Sequence, residues 1–276
     1  MPSNREAYFE ALKMNVPTTV INFALQEINV FTYLELTQNF DKEIKDYSLF
    51  KSAIKRFLEG EMIEYIFSKA YFLSLPLYVD KNVLIPRQET EQLVNSVIQR
   101  IKAIFKNQSI NVADVCTGSG AIGVAISKAL PTINMFLTDI SKEALDVAKI
   151  NAKKLGNDKI KLYLGDMLDP LIENNIKLDV LICNPPYIDD IQTIDSKTWN
   201  QEPHLALLAS PNTLFYEKIF KDYEKVMNDK FLLAFEIGED MEASLSLLIN
   251  KYFKKCEYEF MKDVYGKTRF LFIKQE

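Results

Sequence analysis

Asp114-Val115-Cys116-Thr117-Gly118-Ser119-Gly120-Ala121-Ile122-Gly123 is the run whose reading decides how this chain folds. It starts inside a short apolar segment, Ile110–Val115. It ends inside a stretch, Ser119–Leu130, whose Ile122 and Ile126 stand about one helical turn apart. Strand, glycine turn and helix thus follow one another directly. Glycines at such a place let the backbone turn tightly and approach a ligand at a helix N-terminus. Downstream, strand and helix signals keep alternating, the mark of a mostly parallel sheet. Further strands are predicted at Ile133–Thr138, Ile160–Leu164, Leu178–Cys183, Phe231–Glu236, Glu257–Met261 and Arg269–Ile273. Ser141 suits the cap of a helix with Leu145, Ala148, Ala152 and Leu155 in one stripe. Thr213–Met227 and Met241–Phe253 read as amphipathic helices. Only Lys262–Thr268 separates the last two strands, too little for a parallel crossover. The expected fold is α/β, a seven-stranded, mostly parallel, Rossmann-like sheet with one antiparallel strand.

Upstream of the sheet the pattern differs. Glu6–Met14, Thr18–Ile28 and Ser48–Leu58 carry apolar residues at helical spacing, and Gly60 reads as a stop signal. From Glu61 to Pro86 the chain turns aromatic and β-branched, at Tyr65-Ile66-Phe67, Tyr71-Phe72-Leu73 and Leu77-Tyr78-Val79. A hairpin-like linker turning at Ser68-Lys69-Ala70 is predicted there. The expected organisation is a small helical bundle over 1–60, a linker over 61–87 and the sheet domain over 88–276.

Composition excludes several classes. A chain of 276 residues can bury a large core, and no apolar run approaches the roughly 20 residues of a membrane span. Met1-Pro2-Ser3-Asn4-Arg5-Glu6 lacks an apolar signal core. Cys116, Cys183 and Cys256 are far apart and form no paired motif, which indicates neither disulfides nor a metal site and fits a cytoplasmic location. The net charge is −5, and the seven basic residues of segment 1–60 face eight acidic ones. Sequence-independent binding to a phosphate backbone needs a basic footprint, so neither membrane nor nucleic acid is the expected partner.

Two readings of the glycine run stay open from its spacing alone. Gly118, Gly120 and Gly123 satisfy a dinucleotide fingerprint, and Asp139 follows Gly118 by 21 residues, placed to meet ribose hydroxyls. A nicotinamide-dependent oxidoreductase is one reading. An S-adenosylmethionine enzyme is the other: Asp114 precedes the turn, where an acid can lie near the methionine portion. Asp166 and Met167 end the third strand, where they can meet an adenine amino group and ring.

The fourth strand ends in Asn184-Pro185-Pro186-Tyr187. Two prolines remove two donors and stiffen the loop. A planar amide or aromatic amine is a poor nucleophile because its lone pair is delocalised. The Asn184 side-chain carbonyl and the Pro185 backbone carbonyl can each accept one N–H of such a group, fixing its nitrogen toward a methyl donor. Tyr187 can stack on the planar group. Asn184, Pro185 and Tyr187 are the candidate catalytic residues, with Pro186 completing the substrate wall. Cys116, Thr117, Gly118, Ser119, Gly120, Asp114, Asp139, Asp166, Met167 and Asn184 are the candidate cofactor residues. His204, the one histidine, is assigned no catalytic part.

Asp-x-x-Thr-Gly-Ser-Gly with Asn-Pro-Pro-Tyr resembles the class I amino-methyltransferases, nucleic-acid adenine methylases included. Leu84-Ile85-Pro86-Arg87-Gln88-Glu89-Thr90-Glu91, Glu202-Pro203-His204-Leu205-Ala206-Leu207, Glu236-Ile237-Gly238 and Asp263-Val264-Tyr265-Gly266-Lys267-Thr268-Arg269 narrow the likeness. Together with the helical start of the chain they resemble the peptide-chain release-factor glutamine methyltransferases. That resemblance implies S-adenosylmethionine as cofactor and the glutamine amide of a class-1 release factor's Gly-Gly-Gln loop as methyl acceptor, a modification of the translation-termination machinery. It also implies that the helical domain docks the release factor. The chain departs from the family pattern at Cys116, usually glycine, at Gln88, usually proline, at Glu61-Met62, which lacks the usual proline after Gly-Glu, and at Ala209–Thr213, usually glycine-rich and acidic. Cys116 motivates a degenerate binding module as a non-enzymatic alternative. An N6-adenine methyltransferase keeps the chemistry with another substrate.

Overall fold

The computed structural model describes residues 1–106, 108–157 and 159–276. Contacts divide the chain into two compact units, Met1–Lys69 with Ser196–Gln201, and Ala70–Asp195 with Glu202–Glu276.

The first unit is helical: α1 (Asn4–Lys13), α2 (Thr18–Asn29), α3 (Tyr33–Gln38), α4 (Tyr47–Leu58) and α5 (Ile63–Ile66). Side chains begin three of these helices. Ser3 with Glu6 and Thr32 with Glu35 form capping boxes, and Asp46 accepts from Leu49 N. Gly60, at φ +106°, ends α4. Its N–H donates to Phe57 O while Glu61 N–H donates to Arg56 O, a Schellman ending. Ile21, Leu25, Ile44, Phe50 and Ile54 fill the core. A buried amide pair ties it across the sequence: Asn29 Nδ2 donates to Asn4 Oδ1 at 2.9 Å, and Asn29 Oδ1 accepts from Lys45 N. One helix joins those read from periodicity, and one expectation changes. Residues 33–38 form a helix marked by a capping box rather than by apolar periodicity. Tyr65-Ile66-Phe67 closes a helical turn and is not a strand.

The second unit opens with a hairpin, β1 (Ala70–Phe72) and β2 (Leu75–Leu77), registered Phe72↔Leu75. Its turn is Leu73-Ser74, not Ser68–Ala70. Both turn residues have positive φ, +46° and +63°, as a two-residue hairpin loop demands. Neither is glycine or asparagine, so the turn carries no sequence signal. Glu91 compensates, its carboxylate accepting from Leu73 N at 2.7 Å.

After α6 (Gln88–Phe105) come β3 (Asn111–Val115), α7 (Ala121–Ala129), β4 (Asn134–Asp139), α8 (Lys142–Lys154), β5 (Lys161–Leu164), α9 (Asp169–Glu173) and β6 (Leu178–Cys183). The short α10 (Ser196–Gln201) belongs to the first unit; α11 (Leu214–Val226), β7 (Met227–Glu236), α12 (Glu242–Tyr252), β8 (Glu257–Lys262) and β9 (Thr268–Gln275) complete the second. The strand order is β5-β4-β3-β6-β7-β9-β8, parallel except for β9, which runs against both its neighbours. The seven-stranded sheet with one reversed strand is therefore present as expected. Alternate residues of each central strand serve opposite faces. Val112, Val180, Ile182 and Leu232 meet α6, α7 and α8, whereas Ala113, Val115, Leu181 and Leu233 meet α9, α11 and α12. From β3 the chain moves outward to β4 and β5, then returns to β6 on the other flank of β3. A crevice opens at such a reversal.

The join between β3 and α7 is very close. A Cβ at Gly123 would lie 2.2 Å from Leu137 Cδ2 and 3.2 Å from Asp114 Oδ2, so any larger residue must displace the buried Leu137 side chain. Asp114 is fully buried; its Oδ2 accepts from Thr117 Oγ1 at 2.5 Å and Gly123 N at 2.9 Å, while Oδ1 has no partner among the described residues. Burial pushes this carboxyl up to about 7, against the opposing pull of those two donors.

Gly123→Ala is expected to destabilise the second unit by about 1–3 kcal/mol, as overpacking does; an unchanged urea midpoint would contradict the close join. Asp114 also makes stability pH-dependent. Between its unfolded value near 4 and about 7, the folded state holds a proton that the unfolded chain releases. Stability is thus fullest below that window and falls as pH rises through it. Asp114→Asn removes this slope, so its stability relative to wild type should climb from pH 5 to 8 by up to roughly 1.4 kcal/mol per unit. Denaturation curves at four pH values measure it; a constant difference would refute the buried, proton-holding carboxyl.

Candidate active site

Three strand ends and one helix start form the floor of the crevice. After Val115 the backbone enters the left-handed region at Cys116 (φ +58°), Gly118 (φ +53°) and Gly120 (φ +80°), and curls into α7. Thr117 N–H donates to Thr138 O at 3.0 Å, and Gly118 N–H to Asp139 Oδ2 at 2.8 Å, so the loop hangs on β4. Asn151 of α8, buried, donates from Nδ2 to Ser119 O and to Tyr78 O and accepts from Tyr78 N. The glycines have different reasons. At Gly120 a Cβ would crowd Ala148 at 3.1 Å, whereas at Gly118 nothing lies within 4 Å and the backbone faces open space.

A cleft of about 380 Å³ lies over this loop, within the range of small-molecule sites. Cys116, Thr117, Gly118, Ser119, Asp139, Asp166, Met167, Asn184 and Pro186 line it, with Ile122, Ile140, Ala144, Leu214 and Phe215 as apolar wall. Asp139 ends β4. Its two oxygens already accept from Gly118 N and Ser141 N, and burial pushes its carboxyl upward against those bonds. Each oxygen keeps a second lone pair for a hydroxyl. Asp166 stands half-exposed at the rim, paired with Lys218 Nζ at 2.6 Å. Met167, at φ +48°, faces Cys116, with the two sulfurs 3.5 Å apart. Cys116 thus occupies the backbone conformation that favours glycine, at a cost of about 1–2 kcal/mol, and its side chain rests on Met167.

Asn184 extends from the end of β6, half-buried at the cleft wall. Its Nδ2 donates to Thr90 Oγ1 at 3.3 Å, and Thr90 Oγ1 donates to Glu236 Oε2 at 2.6 Å. Tyr187 OH donates to the other oxygen, Glu236 Oε1, at 3.4 Å, and the tyrosine ring lies against Gly238. Burial raises both the Tyr187 phenol and the Glu236 carboxyl; Thr90 and Arg269 pull the carboxyl back down. Arg269 comes from β9 and lies 3.7 Å from Asp263. Tyr216 OH donates to Glu236 O at 2.7 Å, securing the end of β7.

The outer wall has its own buried acid. Glu202, 4% exposed, accepts from Ile85 N at 3.1 Å and from Arg87 Nη2. Burial raises its carboxyl, with Arg87 opposing. This tie draws Val83–Arg87 and Pro203–Ala206 together, and both segments line the cleft.

The structure therefore gathers the loop residues, Asp139, Asp166, Met167, Asn184 and Pro186 around one space. Asp114 and Gly120 do not line it; they shape the loop from beneath. Pro185 is buried, and Tyr187 turns toward Glu236. Thr90, Glu236, Arg269, Glu202, Asn151 and Lys218 have roles at the site that local spacing did not show. Thr90, Glu202, Glu236 and Arg269 do fall within the quoted motifs, the one signal that marked them. Among the described residues no cluster of metal-binding side chains occurs and no helix is long and apolar enough to cross a membrane.

Known proteins agree with this architecture. Residues 94–232 match the methyltransferase small domain family. The release factor glutamine methyltransferase of Bacillus subtilis (strain 168) is 37% identical over 224 residues, covering 80% of this chain and 77% of the relative. That of Mycoplasma mycoides subsp. mycoides SC is 33% identical over 268 residues, covering 92% and 94%. Among solved structures, a ribosomal protein L11 methylase from Lactobacillus delbrueckii subsp. bulgaricus superposes with TM-score 0.51 at 19% identity, over 69% of this chain and 80% of that one. The hMettl16 catalytic domain in complex with a MAT2A 3'UTR hairpin gives TM-score 0.55 at 17% identity, over 73% and 75%. These two share the fold alone. The sequence relatives choose methyl transfer over hydride transfer for the glycine loop, and the chain belongs to the release factor glutamine methyltransferase family.

Proposed function

We propose that this protein transfers a methyl group from S-adenosylmethionine to the side-chain amide nitrogen of the glutamine in a release factor's Gly-Gly-Gln loop. The observation that carries the reading is the setting of Asn184. Its amide nitrogen is engaged by Thr90, which leaves its carbonyl oxygen for a substrate at the cleft wall.

When bound, S-adenosylmethionine supplies a methyl carbon on a positively charged sulfur. The cleft suits it: an open backbone at Gly118, acceptor capacity at Asp139, an acid at Asp166, and apolar surface at Ile122, Ile140, Met167 and Phe215. Asp139 is assigned the ribose hydroxyls. Asp166 is assigned the adenine amino group, which requires Lys218 to share or leave it. Asn184 Oδ1 and the Pro185 carbonyl each accept one hydrogen of the substrate amide. That fixes the nitrogen's direction and puts two dipoles where positive charge grows as the N–C bond forms. The nitrogen then sheds a proton to solvent, so no strong base is needed.

The names of the relatives support a protein acceptor, as do the net charge of −5 and the near-neutral helical unit. That unit, residues 1–69, is assigned the docking of the release factor. It exposes Phe9, Val30, Tyr33 and Leu34, side chains able to meet an apolar partner surface. Nucleic acid is not expected as the acceptor, and a cytoplasmic location follows from the substrate.

The test is incubation with methyl-labelled S-adenosylmethionine, purified release factor and, separately, adenine-containing DNA and RNA. Label should appear on the Gly-Gly-Gln glutamine by peptide mass spectrometry; label on nucleic acid only, or none, overturns the assignment. Asn184→Ala should lower turnover about 100-fold or more, the scale seen when a transition-state dipole is removed. Cofactor affinity by calorimetry should stay within about threefold, since catalysis here is differential binding of the transition state. Lost affinity with normal turnover would contradict the role.

A further inference from the structure

We propose that Thr90 and Glu236 form a positioning relay that dictates which end of the Asn184 amide faces the substrate. The proposal rests on the methyl-transfer reading above. An asparagine side chain is nearly symmetric in shape, and nothing in its volume prevents the amide from turning over. Turned over, Asn184 would present two donors to a substrate amide whose own hydrogens need acceptors, and the site would repel what it must hold.

Hydrogen-bond polarity prevents this. A hydroxyl has one proton to give. Thr90 gives it to Glu236 Oε2 at 2.6 Å, so toward Asn184 it can only accept, and the group 3.3 Å away is Nδ2. The Asn184 carbonyl oxygen is thereby turned away from Thr90, and the relay assigns it to the substrate. Glu236 sets the direction of the whole chain because an ionised carboxylate only accepts. It is itself buried, 3% exposed, at the end of β7. The same carboxylate takes Tyr187 OH on its other oxygen, so one group orients both ends of Asn-Pro-Pro-Tyr. Arg269 beside it favours the ionised form that burial opposes. Thr90 also lines the cleft; its assigned part is to act through Asn184, across 94 residues of sequence.

Two readouts test the relay. In turnover, Thr90→Val, which keeps the shape and loses the hydroxyl, should lower kcat about tenfold with KM for the release factor and cofactor affinity little changed, the scale of one hydrogen bond of orientation. Thr90→Ser should restore kcat to within about twofold, because the hydroxyl is what matters. In the free protein, the Asn184 side-chain NH2 resonances, identified by their loss in Asn184→Asp, should shift and lose exchange protection in Thr90→Val but not in Thr90→Ser. If Thr90→Val fails to fold, Thr90→Ala, which also lacks the hydroxyl and leaves Glu236 in place, is compared with Thr90→Ser instead. Unmoved Asn184 resonances, or equal kcat in the Val and Ser variants, overturn the relay. A wild-type protein that leaves the release factor unlabelled overturns the substrate assignment instead. The NH2 resonances still decide the relay in that case, since they are read without substrate.

Discussion

Strands β3, β4, β5, β6 and β7 all run the same way, and the site depends on that single constraint. In a parallel sheet the carboxyl ends share one edge, so the loops after them must meet. Cys116–Gly120, Asp139, Asp166–Met167, Asn184–Tyr187 and Glu236 are the residues found at those ends. None is brought in by a long excursion of the chain. The reversal of strand order at β3 then supplies the depression between the loops, with α7 beginning at its base.

Around this edge the chain buries carboxylates where an apolar core would be cheaper. Asp114 holds the glycine loop, Glu202 holds the outer wall, and Glu236 holds the Asn-Pro-Pro-Tyr loop. Each costs desolvation, visible in the upward push on all three acids. Each is offset by hydrogen bonds from the segment that it fixes. An aliphatic side chain would fill the same volume but could not choose a direction for a loop.

Much of the sheet was legible because its signals are local. Leu178–Cys183 reads as a strand from its apolar run, and the structure has the same bounds; Ser141 reads as a cap and accepts from Ala144 N. The hairpin turn was misread because Leu73 and Ser74 adopt positive φ without the residues that announce it, relying on Glu91 from another element. The cleft residues at strand ends were legible for the same local reason. The Thr90–Glu236 bond joins residues 146 apart. Periodicity over a window of turns cannot reveal it, nor can it show that Asp114 points beneath the loop and not into the cleft.

Strand β9 sits between β7 and β8, yet it follows both in the chain. During synthesis, β7 and β8 therefore emerge with no partner for their facing edges until Thr268–Gln275 appears. Arg269, the charge beside Glu236, arrives on that same segment. β3, β4 and β6, whose ends form the wall of the cleft, all precede the segment that brings this counter-charge. A chain that stops short of β9 contains the whole glycine loop but lacks Arg269, the charge beside the carboxylate that accepts from Thr90 and Tyr187. The charge beside Glu236 is thus made after every strand whose end lines the cleft.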